Sequence, residues 1–197
     1  MAEQKTSRKA QKTMKQIRII LAQLLTEKEL RDITVQEIAE KAEISRTTFY
    51  NYYLDVYDVY EQLENTVLTE LGLLITEHGP KTTYEVYPAV FKYIMDNPEV
   101  FKMIFSPNGP KLLYLKLLNL VEGLNRVIWA EFFDIDMNDD RVECVIRYHS
   151  NGTLAIAANW VLSDFKQSQD FIIKMLHGLD ASTQAYLKAQ LDLSRNL

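Results

Sequence analysis

Cysteine is nearly absent from this chain: Cys144 is the single thiol in 197 residues. One thiol closes no intramolecular disulfide, which excludes a stapled secreted fold and suits a reducing compartment. Histidine is scarce too, at His78, His149 and His177. None has a Cys, Asp or Glu partner at metal-ligand spacing, so neither metal nor cofactor is expected. There is no uninterrupted apolar run long enough for a membrane span, and no apolar stretch near the N-terminus that reads as a secretory signal. The expectation is a cytoplasmic protein with no membrane partner. Period-2 alternation, internal repeats and low-complexity stretches are missing as well. G-x-S-x-G, P-loop, H-E-x-x-H and G-x-G-x-x-G patterns do not occur, so no enzyme is expected.

Two fragments resemble sites and are discounted on their spacing. Asp134, Asp136 and Asn138 open like a calcium loop. The sixth position is Asp139 where Gly is required, and the twelfth is Val145 where Glu is required. Asn151-Gly152-Thr153 has the form of a glycosylation sequon but falls within a helical pattern. Gly152 there costs about 1 kcal/mol against Ala. It allows close helix packing or leaves room for a ligand, and packing is the expected role.

The net charge of −5 argues superficially against a nucleic-acid partner, but it is unevenly spread. Lys5, Arg8, Lys9, Lys12, Lys15 and Arg18 face a single acid, Glu3, within the first 18 residues. Residues 1–56 carry net +2 and the remainder net −7. A basic end on an acidic body is compatible with an anionic partner at that end.

The most informative stretch is Ile33 to Val59. Thr34 and Glu37 form a T-x-x-E capping box, with Ile33 and Ile38 at staple positions. Val35, Ile38, Ala39 and Ala42 make one apolar helix face. Ser45 caps a second helix, with Ile44 and Phe49 as its staple. Asp55 caps a third, with Leu54 and Val59. Only a tight turn separates the first two helices. Phe49 and Tyr53 point inward, and Arg46, Thr47, Tyr50, Asn51 and Tyr52 point outward. Arg46 has the geometry to pair with guanine, and Asn51 with adenine. The hydroxyls of Thr47, Thr48, Tyr50 and Tyr52 reach phosphates or base edges.

Residues Ile33 to Tyr53, I-T-V-x-E-I-A-E-x-A-x-I-S-x-x-T-F-Y-x-Y-Y, resemble the N-terminal DNA-binding domain of the TetR family of bacterial transcriptional regulators. The resemblance implies an all-α chain. Residues 1–55 would form a three-helix helix-turn-helix domain, and 56–197 a helical regulatory and dimerisation domain. It implies a dimeric, ligand-responsive repressor on a palindromic operator. Thr34, Gln36, Ser45, Arg46, Thr47, Thr48, Tyr50, Asn51 and Tyr52 would make the DNA contacts. Dimerisation would use the last two long helices. An effector, apolar or aromatic, would sit among Tyr87, Phe91, Tyr114, Trp129, Tyr148, His149 and Asn159. The chain departs from the family's pattern twice. Glu43 stands where a small residue, typically Gly, occupies the turn, and Val56 stands where Lys opens the next helix. Both changes weaken an electrostatic grip on DNA. They motivate an alternative, a TetR-like coactivator that binds a partner protein. A ligand-binding or catalytic helical protein is a third reading.

Elsewhere the pattern is helical. Met14, Ile17, Leu21, Leu24 and Leu25 mark a first helix reaching about Thr26. Further helices are expected from Asp55 to Glu77, Tyr84 to Met95 and Pro98 to Phe105, and, after a loop at 106–110, one of about 22 residues to Phe133. His78-Gly79-Pro80 should end the first of these. Residues 106–110 form a loop and 134–140 an acidic one. The most apolar helix runs from about Asn138 to Phe165, with a stripe of Val142, Val145, Ile146, His149, Thr153, Ile156 and Trp160. A last helix from Ser168 to Leu179 and a tail from Ser182 to Leu193 complete the chain.

Overall fold

The computed structural model describes residues 8–77, 83–132 and 136–195. The expected stop at His78-Gly79-Pro80 and part of the acidic loop lie outside them. Among the described residues the chain is all-α, with no strand. The helices are α1 (Arg8–Leu25), α2 (Val35–Lys41), α3 (Arg46–Tyr50), α4 (Val56–Glu77), α5 (Thr83–Asp96), α6 (Pro98–Phe105), α7 (Lys111–Phe132), α8 (Asp140–Leu162) and α9 (Gln169–Arg195). A 3-10 turn, Leu30–Asp32, joins α1 to α2. None of the described helices is long and apolar enough to cross a membrane.

The chain divides into two compact units. The first comprises residues 1–67 and 99–111, the second residues 68–98 and 112–197, so the boundary falls inside α4. In the first unit, Ile17, Leu21 and Ala22 of α1, Ile38 and Ala39 of α2, and Phe49 and Tyr53 are all buried. They pack α1 on α2 and α2 on α3. Val56, Val59 and Leu63 of α4 and Phe101, Met103 and Ile104 of α6 add to the buried set. The loop after α6 is tied down by Asn108 Nδ2, which donates to the Thr26 carbonyl at 3.1 Å.

The local signals read from the sequence account for the starts of α2, α3 and α4. Thr34 Oγ1 accepts from the Glu37 amide at 3.2 Å, and Ser45 Oγ from the Thr48 amide at 3.0 Å. Asp55 Oδ1 accepts from the Asp58 amide at 2.9 Å. Two details differ. The Glu37 carboxylate does not return to Thr34; it binds Lys28 Nζ at 2.6 Å, a charged donor that outcompetes a backbone amide. Leu54 is 82% exposed, so the third staple does not form. Its amide instead donates to Asp58 Oδ2 at 2.8 Å, which fixes the chain's entry into α4 by a hydrogen bond.

In the second unit, Ile128, Trp129, Val142, Ile146 and Leu187 form one apolar cluster. Helix α9 packs on both α5 and α8. It is a single helix of 27 residues, where a break after Leu179 was expected. Ser182 Oγ and Thr183 Oγ1 donate to the Gly178 and Leu179 carbonyls at 2.9 and 2.8 Å. The polar run that reads as a tail thus satisfies its hydroxyls within the helix. Helix α8 stops at Leu162, three residues before the expected Phe165. Asp164 and Phe165 both take positive φ there, 53° and 56°. The Phe165 amide donates to the Trp160 carbonyl and the Asp164 amide to that of Val161, a Schellman ending.

Candidate nucleic-acid interface

Helix α2, the turn and α3 place the candidate residues as their spacing suggests. Phe49 is fully buried and Tyr53 nearly so, and their rings lie 5.8 Å apart. Anchored by this pair, α3 turns Arg46, Thr47, Tyr50 and Asn51 to the surface. Tyr50 is half exposed, although its ring edge meets Phe49 at 5.6 Å. Thr48 and Tyr52 are half-buried at the margin. The result is one surface holding a guanidinium, an amide and two hydroxyls on a short rigid support. Such a surface can offer donors to phosphates and paired hydrogen bonds to base edges.

Not every candidate is equally available. Thr34 and Ser45 spend their oxygens as caps, and Ser45 Oγ also lies 2.9 Å from Thr48 Oγ1. Gln36 Nε2 donates to Glu40 Oε1 at 2.9 Å. Asn51 is the C-cap of α3, its amide bonded back to the Thr47 and Phe49 carbonyls, with its side chain exposed. Val56, at the position where the resemblance expects Lys, is buried in the first unit.

The turn carries one feature the sequence only hinted at. Glu43 has φ 54°, the left-handed region. The Ile44 amide donates to the Ala39 carbonyl at 3.0 Å and the Glu43 amide to the Glu40 carbonyl at 3.1 Å. This is a Schellman motif with Glu43 at C′, the position where Gly is favoured because it has no Cβ. A small residue at this position of the family's pattern therefore has a backbone reason.

The seven effector candidates separate into groups in the second unit. Tyr87, Phe91, Trp129 and His149 are buried together with two residues not foreseen, His177 and Asp180. Asp180 Oδ1 accepts from Tyr87 OH at 3.1 Å and lies 2.7 Å from His149 Nε2. Tyr87 stacks on His177 at 5.3 Å, and Trp129 meets His149 edge-on at 5.5 Å. Burial first, then the Asp180 charge, pushes the Tyr87 hydroxyl well above its ordinary range. Burial also holds His177 below the ordinary 6.5, partly opposed by Asp180. Tyr148 and Asn159 are exposed on α8 and stand apart from this core, and Tyr114 is half-buried. Asp180 follows Ile172 and Leu176 on the buried face of α9. Only a continuous helix reveals that register.

A separate apolar groove of about 460 Å³ runs between α4 and α7 in the same unit. Ile75, Thr76, Asn119, Leu120, Gly123, Leu124 and Val127 line it, and none of the seven candidates does. Gly152, expected to serve packing, has open space at its Cα within the chain. Among the described residues no cluster of His, Cys, Asp or Glu could hold a metal ion.

A TetR-type family model described as a transcriptional regulator C-terminal region matches residues 81–179, half of the chain. The chain belongs to the TetR family. This TetR-family chain is 37% identical over 99 residues to the uncharacterized HTH-type transcriptional regulator YxbF of Bacillus subtilis (strain 168). That match takes in 46% of this chain and 26% of the relative, so the chain spans about a quarter of that protein's length. Among solved structures, the dihydroxyacetone kinase operon activator DhaS superposes with TM-score 0.59 at 19% identity, covering 90% of this chain and 97% of that one. A TetR-family regulator from Streptomyces coelicolor gives 0.59 at 18% identity, covering 94% and 88%. The fatty acid degradation regulator FadR from Bacillus halodurans gives 0.59 at 19%, covering 85% and 93%. At these identities the likeness shows the shared fold.

Proposed function

We propose that this regulator is a ligand-responsive repressor that binds operator DNA through α2, the turn and α3. The supporting observation is the exposed face of α3, where Arg46, Thr47, Tyr50 and Asn51 surround a fully buried Phe49 anchor. A helix serving only the core would not keep a guanidinium, an amide and hydroxyls on one solvent face. In this reading Arg46 and Asn51 read bases. Gln36, Thr47 and Tyr50 add base-edge or phosphate contacts, and Thr34, Ser45, Thr48 and Tyr52 border the backbone.

The working unit is a homodimer formed through α8 and α9. Tyr148, Leu162, Phe171, Leu179 and Tyr186 are each 46% exposed or more on these two helices. Gly152 and Gly178 leave open space beside them for a partner helix. A dimer would set two α3 helices about 34–36 Å apart on a near-palindrome. An effector acts by binding one spacing of the pair better than the other, which shifts the population away from DNA. The apolar walls of the α4–α7 groove support an apolar effector.

The test is fluorescence anisotropy of the purified protein on its own upstream DNA, with scrambled DNA as control, at two salt concentrations. Sequence-preferring binding that weakens steeply with salt is expected. A second reading, partner-protein binding without DNA contact, draws on the carboxylate of Glu43 in the turn and the apolar, buried Val56. Absence of binding to both DNAs would favour it.

A further inference from the structure

Beside the turn, in the first unit, lies a concavity of about 510 Å³. Its walls are Lys9, Lys12, Thr13 and Gln16 on one side and Lys41, Ala42, Glu43 and Ile44 on the other. The four α1 residues follow i, i+3, i+4, i+7 spacing, so they share one helix face. Lys9, Lys12 and Lys41 are exposed, and none of their ammonium groups joins an ion pair among the described residues. The Glu43 carboxylate is likewise in no ion pair there. Three positive charges therefore face one negative charge in an open groove, on a chain whose net charge is −5. Three lysines elsewhere are paired: Lys28 with Glu37, Lys92 with Asp96, and Lys174 with Asp170.

The groove adjoins the start of α3. Glu43 and Ile44 lie in its wall, and Ser45 and Arg46 follow directly. Three residues of chain span at most about 10 Å, so a duplex seated at Arg46 carries its backbone close to the three lysines. Gln16 adds a neutral donor suited to phosphate oxygens, while the Thr13 hydroxyl donates to the Lys9 carbonyl at 3.1 Å. Resting on the DNA-binding reading above, we propose that this groove is a sequence-independent cradle for the sugar-phosphate backbone flanking the bases read by α3. Glu43 at its rim is the residue that moderates its grip. The acidic side chain in the turn tunes affinity downward and leaves base preference alone.

The experiment compares wild type, the Lys9→Gln/Lys12→Gln/Lys41→Gln triple variant, and Glu43→Gln with and without the triple change. Each is titrated by anisotropy on operator and scrambled duplexes between 50 and 200 mM salt, with thermal melts to check folding. Each phosphate contact contributes about 0.9 to the slope of log K against log salt. Losing three contacts should make the loss of affinity across that range about 40-fold smaller. The ratio of operator to scrambled binding should be unchanged. Glu43→Gln should tighten binding to both duplexes, and the gain should vanish in the triple background. An unchanged salt slope in a folded triple variant that still prefers operator would overturn the cradle alone. Failure of the wild type to bind either duplex would overturn the cradle and the DNA-binding reading together.

Discussion

Glu43→Gly isolates the strain in the turn from its charge. Glu43 holds φ 54° at C′ of the Schellman motif that ends α2. A side chain with a Cβ in the left-handed region costs roughly 1–2 kcal/mol. Glycine removes that cost but gives back about 0.5–1 kcal/mol through the greater freedom of its unfolded chain. The balance is a gain of about 0.5–1 kcal/mol, which for a chain of this size raises Tm by roughly 1–4 °C. Glu43→Gln keeps the Cβ and removes the charge, so it should leave stability near wild type. Glu43→Asn should fall between, because Asn tolerates the left-handed region. The assay is urea denaturation with a shared m-value, so that midpoints compare directly. If the Gly variant were no more stable than the Gln variant, the backbone explanation for this position would be wrong.

Other expected outcomes follow from the second unit. Asp180→Ala removes the acceptor shared by Tyr87 and His149, leaves both buried groups without it, and should cost about 1–3 kcal/mol by urea denaturation. A cost within error of a surface substitution would mean the cluster is not structural. Burial holds His177 below 6.5, so the unfolded state binds its proton more readily. Stability from this residue is therefore present above about 6.5 and lost as pH falls below it. His177→Phe, which preserves the stack on Tyr87, should flatten the fall between pH 7.5 and 5.5. Leu179→Glu, on the exposed face of α9, should shift sedimentation equilibrium toward monomer with the helical signal intact; an unchanged mass would place the dimer surface elsewhere.

The first unit was legible because its signals are local. Caps at Thr34, Ser45 and Asp55, and inward aromatics four apart at Phe49 and Tyr53, depend on a few neighbouring residues. Where another partner competes for the same group, the reading slipped: Lys28 draws Glu37 from its box, and Asp58 takes the Leu54 amide. Apolar periodicity placed His149 on a stripe of α8, while Tyr87 and Trp129 were named only through the resemblance; neither route could foresee that Asp180 joins them from another helix. Hydroxyl-rich Ser182 and Thr183 read as a tail, and ending the helix at Leu179 left Asp180 outside any face. The α4–α7 groove arises from the packing of two helices far apart in sequence, and no single-segment pattern encodes it.

The most direct measurement is the binding of Arg46→Ala, beside wild type, to operator duplexes in which each base pair is substituted in turn. If α3 reads DNA, the variant loses about 1–3 kcal/mol on the operator and becomes indifferent at one position in each half-site. Equal weakening on every duplex would assign Arg46 to phosphate. No change on any duplex would contradict recognition by this face.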